Sequence, residues 1–274
     1  MIEDDKRIDG VIERFVPGGH GLVRTDAGVM LVRGGLVGER VRADVVRARR
    51  NMREATVAEV LEPSPERVDP DCGLHPRCGG CDFLDLSARA QAAAKAEMVT
   101  DGLRRIAKID TASIRFGVRE APLFARARRR ARLATDGEGR LGYHERKSHQ
   151  VIATSACPAL AAPLEAALLA LGKIGLGPRL TVRAVLGDGD RVSLAISGAP
   201  PRRLSRLATA VVDGGIAAGV LVLSDRGRVV SEAGDAAITG EIAPGLKGGP
   251  YASDAATFSQ ATRFGAEAII AEVA

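Results

Sequence analysis

Residues 72–81 read Cys72-Gly73-Leu74-His75-Pro76-Arg77-Cys78-Gly79-Gly80-Cys81, a C-x5-C-x2-C run, and the chain changes character there. Short β-runs precede it, and mixed helices and strands follow. The fourth and last cysteine, Cys157, stands 76 residues beyond Cys81 and is followed by Pro158. Three thiolates within ten residues, joined by glycine and proline, form a loop that can curl around a metal, and a ligand from a distant strand end would close it. Four thiolates suit tetrahedral zinc or a [4Fe–4S] cube. Zinc sites usually come as two C-x2-4-C pairs, whereas a 3+1 set and a Cys-Pro ending are more typical of iron–sulfur. The bland alternative is four buried, unligated cysteines. It sits badly with a Gly/Pro-rich loop flanked by His75, Arg77 and Asp82.

Upstream, glycines split the sequence into five β-runs at about 10–16, 22–24, 29–32, 38–46 and 55–61. The run 38–46 alternates charged and apolar residues as a half-buried strand should. Five strands in about 60 residues predict a small OB-like barrel. Pro63-Ser64-Pro65 and Asp69-Pro70 then mark a boundary. Downstream, Ser87 is placed to cap a helix running to about 108, with Val99, Leu103 and Ile106 at helical spacing. Strands are expected at 114–118, 126–135, 142–144, 151–153, 180–185, 192–197 and 220–224, with helices at 160–171 and 204–213. Gly187-Asp188-Gly189-Asp190 reads as a hairpin turn. The fold class is therefore α+β: a five-stranded OB-like barrel, then an α+β domain that carries the cysteine loop. The expected domains are 1–62, 63–255 and 256–274.

Charge is unevenly spread along the 274 residues. Residues 1–71 carry 12 Lys+Arg against 14 Asp+Glu, residues 72–157 carry 16 against 9, and residues 158–274 carry 11 against 11. The whole excess of +5 thus lies in the stretch that holds the cysteines. Two clusters stand out. Six arginines between Arg40 and Arg53 form a candidate phosphate-contacting rim. Arg126, Arg128, Arg130 and Arg132 alternate along an expected strand, which sets four guanidinium groups on one face where an RNA backbone would neutralise them. Six Phe, two Tyr and no Trp leave little for base stacking, so contact is expected mainly to phosphates. No apolar run reaches the roughly 18 residues of a membrane span, and the acidic start 1–5 is no secretion signal. A cytoplasmic protein without membrane partners is expected.

Further motifs carry a family resemblance. Leu84, Gln91, Lys95, Val99 and Leu103 follow the cysteine run. After them come Arg128-Arg129-Arg130-Ala131-Arg132-Leu133, Leu141-Gly142-Tyr143, Cys157-Pro158-Ala159-Leu160 and Phe258-Ser259-Gln260. Together these resemble the RNA (uracil-5-)-methyltransferases, in the iron–sulfur branch that modifies 23S rRNA. The resemblance implies that the barrel is a TRAM domain, an OB-like RNA-binding module. It implies that Cys72, Cys78, Cys81 and Cys157 hold a [4Fe–4S] cluster, and that Gln260 contacts S-adenosylmethionine. Three positions depart from the family pattern: Ala127, where an aromatic is usual, and Ala261-Thr262, where a hydrophobic residue and Asn are usual.

The resemblance also raises an expectation about what is missing. The helical run 261–274 has no closing glycine, proline or lysine, so the chain is expected to break off before the methyltransferase domain. Uracil C5 needs a cysteine thiolate added at C6 before it can accept a methyl group. If the cluster takes all four cysteines, no catalytic residue remains, and no glycine-rich strand–loop–helix cradles the cofactor. The 274 residues alone are then expected to be inactive. The alternative is a stand-alone RNA-binding iron–sulfur protein without methyltransferase activity. A radical enzyme is disfavoured, because such enzymes leave one iron open with three cysteines.

Overall fold

A computed structural model of the chain describes residues 7–26, 28–115, 117–119, 126–240 and 251–273. The backbone forms two units, residues 1–76 with 81–122 and residues 77–80 with 123–274.

The first unit is a strongly curled six-stranded sheet with one helix. Its strands are β1 (Arg7–Val11), β2 (Arg14–Val16), β3 (His20–Thr25), β4 (Gly28–Arg33), β5 (Arg40–Arg49) and β6 (Met52–Glu62), in the order β1-β5-β6-β4-β3-β2. Neighbours are antiparallel except β4 and β6. The expectation of five strands is corrected to six, because the first run divides. The chain changes partner there: Ile12 N–H donates to Glu39 O (2.9 Å) and Glu13 N–H to Leu22 O (2.9 Å), so β1 pairs with β5 while β2 pairs with β3. Ile12, Val23, Met30, Val32, Val41 and Ala43 fill the sheet's interior.

Helix α1 (Ala88–Arg105) starts at Ser87, whose side chain accepts a hydrogen bond from Ala90 N–H, as its sequence implies. Its packed face is not the expected one. Val99 and Ile106 are 56% and 79% exposed, while Gln91 and Ala94 are buried against Phe15, Leu36, Phe83 and Leu86. Small residues let the helix lie close, so the apolar stripe points to solvent. Residues 114, 115, 117 and 118 form no strand.

A buried carboxylate ties the unit together. Glu39 is 0% exposed and accepts from Leu36 N–H (2.8 Å), Ser64 N–H (3.1 Å), Arg67 Nε (2.6 Å) and Arg67 Nη2 (2.8 Å). Burial alone would raise its pKa; the hydrogen bonds from Arg67, Leu36 and Ser64 outweigh that and hold it below its ordinary value.

The second unit is a seven-stranded mixed sheet with helices. Its strands are β7 (Arg130–Thr135), β8 (Leu141–His144), β9 (Val151–Ala153), β10 (Thr181–Leu186), β11 (Val192–Ser197), β12 (Gly219–Leu223) and β13 (Val229–Gly234), in the order β13-β12-β11-β10-β7-β8-β9. Helices α2 (Ala162–Gly172) and α3 (Pro201–Asp213) pack Leu164, Leu168, Leu171, Leu204 and Val211 onto the same core as Leu133, Val182, Leu194 and Val220. The β11–α3–β12 crossover joins the one parallel pair of this sheet. A smaller core of Val185, Ala195, Leu221, Leu223, Ala236, Ile238 and Ala255 forms a separate cluster. A two-stranded ribbon, β14 (Ile238–Gly240) with β15 (Tyr251–Ser253), precedes α4 (Arg263–Val273). At Gly142 of β8 a Cβ would lie 2.0 Å from Ile152 O, so only glycine lets β9 approach. The hairpin turn at 187–190 is present as a short 3₁₀ turn between β10 and β11. Strand β7 starts at Arg130 rather than residue 126, because Arg126 adopts a left-handed φ of 61°. Among the described residues no helix is long and apolar enough to cross a membrane.

Candidate functional site

The arginine row shows what its charges do. Arg126 pairs with Glu165. Arg128 Nη2 donates to Gly80 O at 3.2 Å. Arg129 donates to Leu186 O (3.2 Å) and Gly187 O (2.6 Å). Arg130 donates to Ser259 Oγ (2.8 Å), Ala255 O (3.2 Å) and Thr257 O. The expectation of four guanidinium groups presented to RNA is corrected: three of the four hold the protein's own carbonyl, hydroxyl and carboxylate oxygens, and only Arg132 is exposed on the strand itself. Burial lowers the pKa of Arg130, with Arg183 adding to the effect and Asp254 opposing it.

These clamps assemble the surroundings of Gln260. Arg129 N–H donates to Ala261 O (2.8 Å) and Leu186 N–H to Arg129 O (2.8 Å), which stitches the 260–262 segment beside the 187–190 turn. A cavity of about 70 Å³ results, lined by Gln260, Ser259 and Thr262 together with Arg129, Asp188 and Arg263. Arg129 Nη2 lies 3.5 Å from Asp188 Oδ1, and Arg263 Nε donates to Glu267 Oε1 at 2.9 Å. The lining offers both signs of charge and an amide. Its volume is well below the roughly 300–1,000 Å³ of ordinary ligand pockets. It therefore fits a small polar group and not an intact nucleoside sulfonium. Asp188 and Arg263 escaped the sequence reading: one looked like a turn residue, the other like an ordinary helix residue.

The cysteines divide between the units. Cys72 and Cys81 belong to the first, Cys78 and Cys157 to the second, and each is half-buried. Among the described residues no three His, Cys, Asp or Glu side chains are gathered to hold a metal ion. Within the second unit, Gly79 N–H donates to His144 O (3.1 Å), Arg146 N–H to Arg77 O (2.9 Å) and Gly80 N–H to Cys78 Sγ (3.4 Å). Cys157 N–H donates to Glu165 Oε1 (2.8 Å). Cys78 and Cys157 both pack against the main core beside Tyr143. The Tyr143 hydroxyl is buried with no hydrogen bond of normal geometry, and sulfur is its polar neighbour. Burial, then Cys157, push its pKa far up, with Arg128 opposing and Cys78 adding. The structure thus brings two of the four expected ligands beside one buried polar group.

On the first unit, Arg53 of the six-arginine rim is half-buried, and the other five separate into two kinds. Arg40 pairs with Glu62, and Arg42 with Asp9 and Glu59. Arg47, Arg49 and Arg50, at the β5–β6 hairpin tip, are exposed, and no ion pair to them is found among the described residues.

Comparison with known proteins gives a consistent picture. Over 160 residues the chain is 36% identical to the 23S rRNA (uracil(1939)-C(5))-methyltransferase RlmD of Halomonas elongata, a stretch that is 58% of this chain and 33% of that protein. Over 211 residues it is 30% identical to the RlmD of Alkalilimnicola ehrlichii, covering 73% of this chain and 47% of that protein. The chain spans about a third of the length of the first curated relatives it matches. No protein-family model matches it. Among solved structures, the tRNA (uracil-54, C5)-methyltransferase of Pyrococcus abyssi in complex with S-adenosyl-L-homocysteine matches with a TM-score of 0.63 at 18% identity, covering 97% of this chain and 64% of that one. The expectation that the chain breaks off before the methyltransferase fold is corrected to a likeness of fold that runs over 97% of this chain and 64% of that one. The expected inactivity rested in part on that break and loses that support.

Proposed function

We propose that the protein is an S-adenosylmethionine-dependent RNA (uracil-5-)-methyltransferase that acts on 23S rRNA. The observation that carries this reading is that sequence relatives and the structural neighbour point to one reaction, methylation of uracil C5 in RNA. The curled sheet serves as a TRAM-like RNA-binding module, with Arg47, Arg49 and Arg50 as phosphate contacts. Gln260, with Arg129, Asp188 and Arg263 around it, forms one wall of the cofactor site and receives a small polar part of the cofactor. When bound, S-adenosylmethionine supplies an electrophilic methyl group.

Cys72, Cys78, Cys81 and Cys157 are the proposed ligands of a [4Fe–4S] cluster; as these are all the cysteines of the sequence, the thiolate that adds to uracil C6 must come from one of the four or from outside these 274 residues. Their support is the donor chemistry and the 3+1 spacing, together with the pairing of Cys78 and Cys157 beside Tyr143. The cluster's role is structural, because methyl transfer needs no electron carrier. The protein's own residues position the parts: Arg130 fixes the 255–259 segment, Arg129 places Gln260, and Glu165 holds Cys157 by its backbone.

The test is transfer of labelled methyl from S-adenosylmethionine to unmodified 23S rRNA and to tRNA transcripts, followed by nucleoside analysis. The expected product is 5-methyluridine in rRNA. A different methylated nucleoside overturns the reading, and RNA binding without any methyl transfer favours a stand-alone RNA-binding protein.

A further inference from the structure

Tyr143 is 8% exposed, and its hydroxyl oxygen is buried without a hydrogen-bond partner of normal geometry. Its ring belongs to the main core of the second unit, with Leu133, Leu141 and Leu160. A phenylalanine fills the same space without carrying a polar atom into it. A buried hydroxyl left unsatisfied costs about 1–3 kcal/mol, so the residue makes sense only beside an acceptor.

Two sulfurs are at hand. Cys78 forms an isolated antiparallel bridge with Glu145, while Gly79 N–H donates to His144 O (3.1 Å) and Arg146 N–H to Arg77 O (2.9 Å). These bonds lay residues 77–79 along the end of β8. Cys157 stands ahead of α2, held by Leu160 N–H donating to Cys157 O (3.0 Å) and by Cys157 N–H donating to Glu165 Oε1 (2.8 Å). Both side chains pack against the core that contains Tyr143, and Cys157 acts on the tyrosine oxygen more strongly than Cys78 does. Cys78 Sγ already accepts from Gly80 N–H (3.4 Å).

A thiol is a weak acceptor. A thiolate is an ionised one, and hydrogen bonds to ionised acceptors are about twice as strong. The Tyr143 hydroxyl is therefore poorly served while Cys157 keeps its proton and well served once that sulfur gives it up to become a metal ligand. The Arg128 guanidinium, which donates to Gly80 O at 3.2 Å, adds positive charge within reach of the same oxygen. The orphaned hydroxyl thus fits a ligating Cys157.

We propose that Tyr143 is a positioning residue of the cluster site, donating its O–H to the Cys157 thiolate and fixing the surroundings of that ligand. The proposal rests on the cluster reading above and adds a residue beyond the four cysteines. Hydrogen bonds to coordinating sulfur help to set a cluster's reduction potential, and by offsetting negative charge they favour the reduced form. The potential serves as a gauge of the sulfur's surroundings, and methyl transfer still needs no electron carrier.

The experiment reconstitutes the full chain, Tyr143→Phe and Leu164→Val anaerobically with an iron salt, sulfide and a thiol reductant. Bound iron and sulfide are counted, the one-electron potential is measured by dye-mediated titration, and Fe–S stretching bands are compared in light and heavy water. Tyr143→Phe keeps the ring and removes only the polar atom, so it should fold and load iron as the parent does. Its equilibrium constant for reduction should fall about tenfold, a downward shift of about 59 mV for one electron. The deuterium-sensitive part of the Fe–Sγ band should disappear with the hydroxyl. Leu164→Val trims the same core without removing a donor and should keep the parent's potential and bands. A loaded Tyr143→Phe with the parent's potential and bands overturns the proposal while the cluster reading stands. So does an equal shift in Leu164→Val. A folded Tyr143→Phe that takes up no iron also overturns it, since a donor to one thiolate tunes a cluster and does not hold it. A parent chain that takes up no iron and sulfide overturns the cluster reading and the proposal together.

Discussion

Arginine is used in opposite ways at the two clusters. At the β5–β6 hairpin tip, Arg47, Arg49 and Arg50 stand in solvent with no ion pair found among the described residues, while Arg40 and Arg42 lower on the same strand are matched by Glu62, Asp9 and Glu59. In the row that leads into β7, Arg128, Arg129 and Arg130 are half-buried and donate to oxygens of residues far along the chain, from Gly80 to Ser259. Both stretches look alike in composition. The difference lies in what surrounds each strand. A hairpin tip that runs past its neighbour β1 is flanked by β6 alone, whereas a central strand meets loop carbonyls on several sides. Positive charge density therefore does not by itself mark an RNA surface, and an arginine with five donors in a rigid fork is equally suited to knitting loops.

The extreme of the internal class is Arg67, clamped to Glu39, and it gives the largest expected effect. Glu39→Gln leaves the half-buried Arg67 guanidinium with Asp85 as its remaining carboxylate and should cost about 3 kcal/mol of stability, read by chemical denaturation. Stability close to the parent's would mean that internal arginines matter no more than surface ones. The same pair predicts acid sensitivity. The folded Glu39 carboxyl titrates below its ordinary value of 4.5, so its contribution is present above that pH. It is lost as pH falls through the folded value, because the unfolded chain then binds the additional proton. Unfolding midpoints measured from about pH 6 down to about pH 3 should fall in the parent and be flatter in Glu39→Gln.

A smaller effect is expected at Arg130. Arg130→Met removes the donors to Ala255, Thr257 and Ser259 and should cost about 1–3 kcal/mol. Amide exchange is expected to speed up locally at residues 254–260, and exchange unchanged there would show that the clamp is not what orders the loop. The smallest effect is predicted for Arg40→Gln and Arg42→Gln, whose partners are exposed. Neither should shift the thermal midpoint measurably, and RNA affinity should change less than at the tip.

How much of this was legible in sequence depended on where the physics is local. The alternation in β5, the Ser87 cap and the glycine turn at 187–190 are local signals, and each led to the right element. The split between β1 and β2 was not visible, because it comes from adjacent residues bonding to different strands' surroundings, Ile12 to Glu39 and Glu13 to Leu22. The Val99–Leu103–Ile106 stripe misled, since helix α1 packs through Gln91 and Ala94, whose small hydrophobic signal hides a close approach. Strand β13 was missed because its outward residues include Val229 and Val230, which blur the alternation. At the candidate site, Gln260 was legible only through a family resemblance, and its companions Asp188 and Arg263 not at all. Their roles exist only once Arg129 draws the 187 turn and the 261 segment together.

The measurement that tests the account most directly is the salt dependence of RNA affinity for the parent chain against Arg47→Gln/Arg49→Gln/Arg50→Gln. If these side chains hold phosphates, the log–log slope should fall by about 2, on the order of 0.7 for each phosphate no longer neutralised, with stability unchanged. An Arg132→Gln control should leave the slope nearly as it was. An unaltered slope in the triple variant, or an equal drop in the control, would contradict the assignment of the hairpin tip as the RNA-holding surface.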